Sequence, residues 1–369
     1  MEPHPDDHII VAMSSGVDSA VSAALYARKY KNVHGIYMAN WSQTATCTER
    51  DWNDVQHLCR DLNISCERVN FEKEYWQTVF QPMIEKYSRG LTPNPDTGCN
   101  KHVKFGKLAE YLEKSYSGKN WWLVTGHYAR IMKHNRTGEF HLLRGISTRK
   151  DQSYYLSSIP SSIMSKILLP IGHQVKSETR ELAKQFDLHV ASKPDSQGLC
   201  FVGPDEPHFR DFLNNYLEPN PGDIVTEDGK VWGRHGGLWH ATIGQKSSIS
   251  MPQGDPKYKG TWFVSAKDPV KNQLIIVKGR DNPKLYKDHV SLNTLDWIYP
   301  REKVLDFPVE ELQFQFHALG KPFSIKSIEL TNEGLSINLQ TSARAMAPGQ
   351  IGVIYKGNQV LASGIISCK

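Results

Sequence analysis

The chain has 369 residues, of which 39% are hydrophobic and 22% are charged, and its net charge is +5. This length predicts two or three domains of roughly 150 residues each, and the composition is that of an ordinary globular protein. No apolar run approaches the roughly 18–20 residues of a membrane span, so no such span is predicted. Six cysteines without a CxxC pair exclude a disulfide scaffold and give a zinc ribbon no support, so we expect a reducing compartment.

The positive charge is unevenly distributed along the chain. Residues 101–150 contain 11 lysines and arginines but only three glutamates, so the remainder is slightly acidic. Tyrosine, tryptophan and histidine are interleaved with these basic residues, which suits a surface that binds a polyanion such as nucleic acid. A solvated helix face followed by a hairpin explains the charge alone equally well.

The first half of the chain alternates short apolar runs with helix-forming stretches. Strands are predicted at 9–13, 33–38, 65–70 and 121–127, and helices at 20–27, 51–62 and 75–87. This alternation predicts an α/β domain, residues 1–205, built on a doubly wound parallel sheet. The acidic start of the chain lacks the features of a signal or transit peptide, so we expect any presequence to be absent or already removed.

The second half has a different character. Residues 219–246 are rich in glycine and short alternating runs, and residues 260–369 contain successive strand patterns with a turn at Lys356-Gly357-Asn358. We therefore predict a small central module, residues 206–285, followed by an all-β C-terminal barrel, residues 286–369. The predicted strands are TWFVSA, QLIIVKG, FQFHAL, FSIKSIEL, GLSINLQ, GQIGVIY and QVLASGII.

A loop of small and hydroxylated residues separates the first predicted strand from the first helix. Its sequence is Ser14-Ser15-Gly16-Val17-Asp18-Ser19. The N–H groups and the positive dipole end of the helix would bind phosphate, and the serine hydroxyls add donors. The loop is neither a Walker loop, because GxxxxGK[ST] is absent, nor GxGxxG. The alternative is an ordinary N-capped helix.

Two further stretches place a cysteine near an aspartate. TPNPDTGCN, residues 92–100, contains Asp96 and Cys99, and we predict a loop there because its prolines and glycine disfavour a helix. The stretch 195–201, DSQGLCF, contains Asp195 and Cys200 at the other end of the α/β domain. Loops at strand C-termini converge in such domains, so the two thiols suggest sulfur transfer or dithiol redox chemistry. Two unrelated buried cysteines are the alternative.

Together these motifs resemble the tRNA-specific 2-thiouridylases, enzymes of the N-type ATP pyrophosphatase (PP-loop) superfamily that thiolate the wobble uridine, U34. Ser15 stands where that family usually has a second glycine, and this variant together with CTERDW resembles the mitochondrial branch. The matching stretches run nearly end to end: MSSGVDSA (13–20), GIYMANW (35–41), CTERDWND (47–54), TPNPDTGCNKHVKFG (92–106), TGHYAR (125–130), KDQSYYLS (150–157), SQGLCF (196–201), TIGQK (242–246) and APGQ (347–350).

The resemblance implies a role for each matching residue. Cys99 would be the nucleophile, Cys200 the persulfide carrier, and Asp96 a base-positioning residue or general base. The residues implied to hold ATP are Ala12, Met13, Ser14, Ser15, Gly16, Val17, Asp18, Ser19, Met38 and Gly126. Those implied to meet the target base are Asn94, Pro95 and Asp96, and those implied to contact tRNA are His127, Lys150, Asp151, Gln152 and Gln350. The family's barrel usually offers an Arg-Tyr pair to tRNA, where this chain has Gln315-Phe316-His317-Ala318.

The reaction implied is adenylation followed by sulfur transfer. Attack of the uracil O2 on the α-phosphate of ATP makes AMP the leaving group, and Mg²⁺ would accompany ATP. A donor protein, such as a cysteine desulfurase or a sulfur relay protein, would load Cys200 with persulfide sulfur. That sulfur attacks C2 directly, or Cys99 cleaves the persulfide and a Cys99–Cys200 disulfide remains.

The resemblance also sets expectations for partners and location. It implies a monomer that binds tRNA, with no membrane association and no metal site of its own, in the mitochondrial matrix, with the cytoplasm as the alternative. Two other functions remain open: an amide-forming ligase that uses the same loop, and a non-catalytic RNA-binding protein.

Overall fold

The structure, a computed structural model, describes residues 2–41, 45–195 and 209–367, with only the backbone of residues 45–47. The predicted persulfide carrier Cys200 lies outside the described residues, as does the rest of SQGLCF. Within the described part of the chain, no helix is both long enough and apolar enough to cross a membrane.

The N-terminal part is built on a five-stranded parallel sheet and a separate hairpin. Its strands are β1 (His8–Met13), β2 (Val33–Ala39), β3 (Ser65–Asn70), β4 (Trp121–Val124), the hairpin strands β5 (Ala129–Lys133) and β6 (Phe140–Arg144), and β7 (Ile167–Leu168). The parallel sheet has the order β3-β2-β1-β4-β7. Ile9, Ile10 and Val11 of the central strand are fully buried, because helices cover both faces of the sheet. The predicted doubly wound α/β fold is confirmed.

Helices cover this sheet. They are α1 (Val17–Ala27), α2 (Ala45–Asp61), α3 (Glu72–Tyr75), α4 (Gln81–Ser88), α5 (Pro95–Gly98), α6 (Leu108–Ser115) and α7 (Lys176–Gln185). A π-helical segment, Trp76–Phe80, joins α3 to α4, and a second one, Cys99–Lys107, joins α5 to α6. Short 3₁₀ helices at Ser161–Lys166 and Pro170–His173 flank β7.

The prediction of a loop at residues 92–100 is wrong from Pro95 onward. The side chain of Asn94 caps a helix by accepting a hydrogen bond from the Thr97 N–H at 3.2 Å. Pro95 is the first helical residue. Proline is tolerated there because an N–H at this position would have no carbonyl partner within the helix. Gly98 has ordinary helical angles, φ −61° and ψ −44°. Cys99 is therefore held on a helix that continues to Ser115, rather than in a loop.

The second half contains the predicted β structure. A four-stranded sheet of order β10-β11-β8-β9 is followed by a closed antiparallel barrel, in which β12 pairs with both β15 and β17. The strands are β8 (Gly222–Thr226), β9 (Val231–His235), β10 (Trp262–Asp268), β11 (Gln273–Lys278), β12 (Tyr286–Trp297), β13 (Leu312–Gln315), β14 (Phe323–Thr331), β15 (Gly334–Arg344), β16 (Ile351–Lys356) and β17 (Gln359–Ile366). The helical pieces are α8 (Phe209–Asn214), α9 (Arg301–Leu305) and 3₁₀ turns at Leu238–His240, Pro283–Leu285 and Val309–Glu311.

The barrel docks directly on the α/β part. The Tyr154 hydroxyl donates to the Ile351 carbonyl at 2.8 Å, and the Ser363 hydroxyl donates to the Ser157 carbonyl at 2.8 Å. The hairpin strand β6 also pairs with β17. The stretch KDQSYYLS, residues 150–157, therefore lies at the joint between the sheet domain and the barrel.

Candidate active site

The Ser14–Ser19 loop follows β1 and leads into α1, as predicted. Gly16 is extended and immediately precedes the helix, whose leading N–H groups have no partner within the helix itself. The Ser19 hydroxyl donates to the Gly16 carbonyl at 3.1 Å and accepts from the Ser14 N–H at 3.2 Å. These bonds hold the loop around the helix N-terminus in the manner of a phosphate-binding turn.

Ser15 adopts a backbone conformation that favours glycine, with φ 56°. Its buried hydroxyl donates to Asp51 Oδ1 at 2.6 Å and accepts from Lys193 Nζ at 2.9 Å. Lys193 also donates to Asp54 Oδ2 at 2.9 Å. The serine in the glycine position is thereby bonded to the CTERDWND stretch, so both features that resemble the mitochondrial branch belong to one network.

The loop lies at the topological switch point of the sheet. β1 and β4 are neighbours, while β2 and β3 extend on the other side of β1. A side-chain carbon on Gly126, just after β4, would lie 2.8 Å from both the Asp18 carbonyl carbon and the Ser19 nitrogen. Glycine is therefore required for this close approach. Met38 is the penultimate residue of β2, whose C-terminal end lies at the same edge of the sheet.

The helix that carries Asp96 and Cys99 approaches the same edge through Lys104. Burial raises the pKa of Asp96, and the Lys104 ammonium partly opposes that rise. Burial, with a smaller contribution from Lys104, lowers the pKa of His127 well below its usual value. The Phe105 ring lies 5.8 Å from the His127 ring. Lys104 thus acts on both the predicted base-positioning aspartate and the histidine after β4, whereas the buried Cys99 is 6% exposed.

The predicted tRNA-contact stretch Lys150-Asp151-Gln152 is held by internal hydrogen bonds. Asp151 is 4% exposed and accepts bonds from the Gly145 and Ser153 N–H groups, the Ser153 hydroxyl and the Arg144 guanidinium. Gln152 accepts from the Tyr128 N–H at 2.9 Å. The Tyr128 hydroxyl in turn donates to Asp18 Oδ1 at 2.9 Å, which connects this stretch to the Ser14–Ser19 loop. Direct RNA contact by these three residues stays a prediction.

Asn94 and Pro95 line a cavity of about 150 Å³ between the α4–α5 helices and the barrel strands β12 and β17. Gly349 and Ile351, the neighbours of Gln350, line it too. The side chain of Gln350 accepts a bond from the Ala347 N–H at 3.2 Å. Two of the predicted base contacts therefore face the barrel, near the barrel's own predicted RNA-contact residue.

The stretch Gln315–Ala318 differs from an exposed Arg-Tyr pair. Gln315 is 1% exposed and Phe316 is 4% exposed. Gln315 accepts a hydrogen bond from Arg144 at 2.7 Å and donates to the His317 and Ala318 carbonyls. It therefore links the barrel to the hairpin, and His317 is the exposed polar residue of this stretch.

Sequence reasoning missed several charged residues of the site. Lys176 begins α7, which packs against α1, and its Nζ lies 2.7 Å from Asp18 Oδ1. Lys193 and Asp195 come from the segment that precedes SQGLCF, and Lys104 comes from the helix of Cys99. Asp195 belongs to the predicted DSQGLCF stretch, but only the folded chain shows that Lys150 and two cations of α7, Lys176 and Arg180, surround it.

Comparison with known proteins agrees with this geometry. Three family models match consecutive parts of the chain: "tRNA methyl transferase HUP domain" at residues 7–204, "tRNA methyl transferase PRC-barrel domain" at 210–278 and "Aminomethyltransferase beta-barrel domain" at 263–366. Among solved structures, the "U34-tRNA thiolase NcsA from Methanococcus maripaludis" covers 57% of this chain and 64% of its own, at 16% identity and a TM-score of 0.35, too weak a likeness to bear on the fold.

Full-length relatives are much closer in sequence. "Mitochondrial tRNA-specific 2-thiouridylase 1" of Saccharomyces cerevisiae is 50% identical over 99% of this chain and 93% of its own length. "tRNA-specific 2-thiouridylase MnmA" of Bacillus subtilis is 38% identical over 99% of this chain and 96% of its own. Such identity over the whole length is sufficient to assign the family. The chain belongs to the tRNA-specific 2-thiouridylase family.

Proposed function

We propose that this protein catalyses the ATP-dependent 2-thiolation of the wobble uridine of tRNA in the mitochondrial matrix. The observation that carries the proposal is the convergence of two motifs at Gly126–His127. Gly126 approaches the Ser14–Ser19 loop. In addition to the effect of burial, Lys104 acts to lower the pKa of both His127 and Asp96, and Asp96 lies on the helix that carries Cys99. A phosphate-binding loop and a thiol-bearing helix on one edge fit adenylation followed by sulfur transfer. We retain 1–205, 206–285 and 286–369 as the proposed domains.

The loop would supply the binding of ATP. The N–H groups at the start of α1 would bind the phosphates, whereas the Ser15 and Ser19 hydroxyls already donate to Asp51 and to the Gly16 carbonyl. The uracil O2 would attack the α-phosphorus and expel pyrophosphate. The Asp18 carboxylate in the first turn of α1 is a hard oxygen donor of the kind that Mg²⁺ prefers, with a 31% exposed side chain. The ion would disperse phosphate charge.

The second step replaces the AMP-bearing oxygen with sulfur. In one route the terminal sulfur of a Cys200 persulfide attacks C2, and AMP leaves with its electron pair. The Cys99 thiolate would then attack the Cys200 sulfur of the C2–S–S–Cys200 adduct, so that 2-thiouridine is released and a Cys99–Cys200 disulfide forms. In the other route the Cys99 thiolate attacks the inner sulfur of that persulfide, so that hydrosulfide is released and a Cys99–Cys200 disulfide forms. The hydrosulfide then attacks C2, and an external dithiol reduces the disulfide. Asp96 would orient the base or accept a proton.

The wording of the family models favours a second candidate, because their descriptions name methyl transfer rather than thiolation. Methyl transfer to RNA needs neither the adenylating loop nor a pair of thiols. An amide ligase would use the loop but not Cys99, and a non-catalytic RNA-binding protein would use neither. These alternatives predict different products.

The test is mass analysis of nucleosides from wobble-uridine tRNA incubated with the protein, ATP, Mg²⁺ and sulfide or a persulfide donor. We expect 2-thiouridine and one AMP released per sulfur added. A methylated nucleoside, or AMP without thiolation, would contradict the proposal.

Variants of the two thiols test the mechanism. We expect Cys99→Ser and Cys200→Ser each to abolish thiolation from a persulfide donor while ATP binding remains. Cys66→Ser, which removes a thiol from β3, is the matched control and should retain activity. Full thiolation by either of the first two variants would exclude the two-cysteine mechanism.

A further inference from the structure

Three cationic side chains converge on the carboxylate of Asp195. Lys150 Nζ lies 2.7 Å from Oδ2, while Lys176 Nζ and Arg180 Nη2 lie 2.9 Å and 2.6 Å from Oδ1. Burial favours the neutral acid, but the two lysines hold the pKa of Asp195 well below its usual range. The carboxylate is therefore charged at neutral pH, and it pairs with cations from two separate parts of the chain: Lys150, and Lys176 and Arg180 of α7.

This cluster adjoins the Ser14–Ser19 loop. Lys176 is 14% exposed and bridges Asp195 to Asp18, in the first turn of α1, with 2.7 Å between Lys176 Nζ and Asp18 Oδ1. The three cations outnumber these two carboxylates, so the cluster keeps a positive surplus beside a helix N-terminus. Such a surplus suits a polyanion that carries more charge than one carboxylate.

Arg180 differs from the two lysines in its other bonds. Its Nη1 also donates to the carbonyls of Ala191 and Lys193, at 3.0 and 3.1 Å. These bonds fix Arg180 to the segment that carries Asp195. If Asp195 lost both lysines, it would keep Arg180 as a partner, so the exchange would leave this half-buried carboxylate with a counter-ion.

We propose that the Asp195 carboxylate occupies the place of a phosphate and that the polyphosphate of ATP displaces it from Lys176 and Lys150. Lys176 then becomes a ligand of the phosphates, and Lys150 becomes available to RNA. This inference rests on the proposed function, because it assumes that ATP binds the Ser14–Ser19 loop. It adds two roles that the motifs do not specify: a phosphate ligand on α7 and an internal competitor for it.

The exchange couples the two substrates. Lys150 belongs to the stretch predicted to contact tRNA, and its ammonium is paired with Asp195. A nucleotide that releases Lys150 raises the affinity for RNA, and RNA raises the affinity for nucleotide by the same factor.

Nucleotide binding is measured by calorimetry on the full-length protein, with the α,β-methylene analogue of ATP and Mg²⁺. We expect Lys176→Gln to weaken binding about tenfold or more, Lys176→Arg to restore most of it, and Asp195→Asn to tighten it several-fold. Lys184→Gln and Glu181→Gln change the same charges on exposed positions of α7 and should match the unmodified protein. Unchanged binding by Lys176→Gln, or unchanged or weaker binding by Asp195→Asn, would overturn the proposal.

The coupling has its own readout. The affinity for unmodified wobble-uridine tRNA should rise several-fold when the analogue is added to the unmodified protein, and it should not change in Asp195→Asn. Equal RNA affinity with and without the analogue in the unmodified protein would refute the exchange. A protein that thiolates tRNA but shows neither effect retains the proposed function and loses this inference, whereas absent nucleotide binding refutes the proposed function itself.

Discussion

At the scale of single residues, Ser15 combines an unfavourable backbone with favourable side-chain bonds. Its φ of 56° is costly for a residue with a Cβ atom, while its hydroxyl bonds both Asp51 and Lys193. The two effects can be separated, because alanine and glycine both remove the hydroxyl but only alanine keeps the strain.

We predict that Ser15→Ala is less stable than Ser15→Gly by about 1 kcal/mol in free energy of unfolding. Both variants lose the same hydrogen bonds to Asp51 and Lys193, so their difference reports the backbone alone. Urea unfolding measures it, and Ser14→Ala against Ser14→Gly at the neighbouring exposed position is the control. Equal stability of the two Ser15 variants would show that the left-handed backbone stores no strain.

Asp96 offers a test by pH. Its pKa is raised by burial and lowered by Lys104, so Lys104→Gln should raise it further. If ionised Asp96 assists thiolation, the rate falls as pH drops through that pKa, and the acidic limb of the rate profile should move to higher pH in the variant. Lys107→Gln, which removes an exposed charge paired with Glu110, is the control. An acidic limb that stays in place would exclude ionisation of Asp96 as its origin.

At the scale of elements, the helix that begins at Pro95 decides the position of Cys99. Gly98 lies within it at helical angles, and a Cβ there would make an ordinary contact of 3.6 Å with Val79. Glycine in a helix interior is less favourable than alanine because it loses more backbone entropy on folding. Replacing Gly98 with alanine should therefore stabilise this helix.

We predict that Gly98→Ala stabilises the protein by about 0.5–1 kcal/mol in urea unfolding. Gly126→Ala is the contrasting variant, since its Cβ would lie 2.8 Å from the backbone of Asp18 and Ser19 and should displace the N-terminus of α1. Destabilisation by Gly98→Ala would mean that the Cys99 helix does not persist in solution.

At the scale of the whole molecule, the sheet domain and the barrel share one buried joint. Tyr154 is 2% exposed, and its hydroxyl bonds the Ile351 carbonyl at 2.8 Å and approaches the Phe316 carbonyl at 3.3 Å. Lys101, on the Cys99 helix, pairs with Asp296 of β12 across the same joint. These contacts place the barrel beside the candidate active site.

We predict that Tyr154→Phe lowers the free energy of unfolding by about 1–3 kcal/mol, because two buried carbonyls lose their donor. Tyr286→Phe, which removes an exposed bond to Asp281, should change stability by less than about 0.5 kcal/mol. Urea unfolding and limited proteolysis between the sheet domain and the barrel measure the effect. Equal losses in the two variants would argue against a buried, bonded joint.

Much of the fold is readable from the sequence because its signals are local. The continuous apolar run at Ile9–Met13 is confirmed as a central parallel strand, and the alternating runs after residue 260 are confirmed as strands. The twelve-residue strand β12 was missed, since its alternation is diluted by polar residues on the exposed side. The Pro93–Gly98 stretch was misjudged because Pro95 and Gly98 are acceptable at particular helix positions.

Residues close together in the chain suffice to predict most of the succession of elements, the Ser14–Ser19 loop between strand and helix, and the spacing of Asp96 and Cys99. Only the tertiary structure decided that Ser15 bonds Asp51, that Lys104 acts on both Asp96 and His127, and that Asp195 holds Lys150, Lys176 and Arg180. Apart from Lys104 and Asp96, which share one helix, these contacts join residues far apart in sequence, because parallel strands bring their C-terminal ends to one edge.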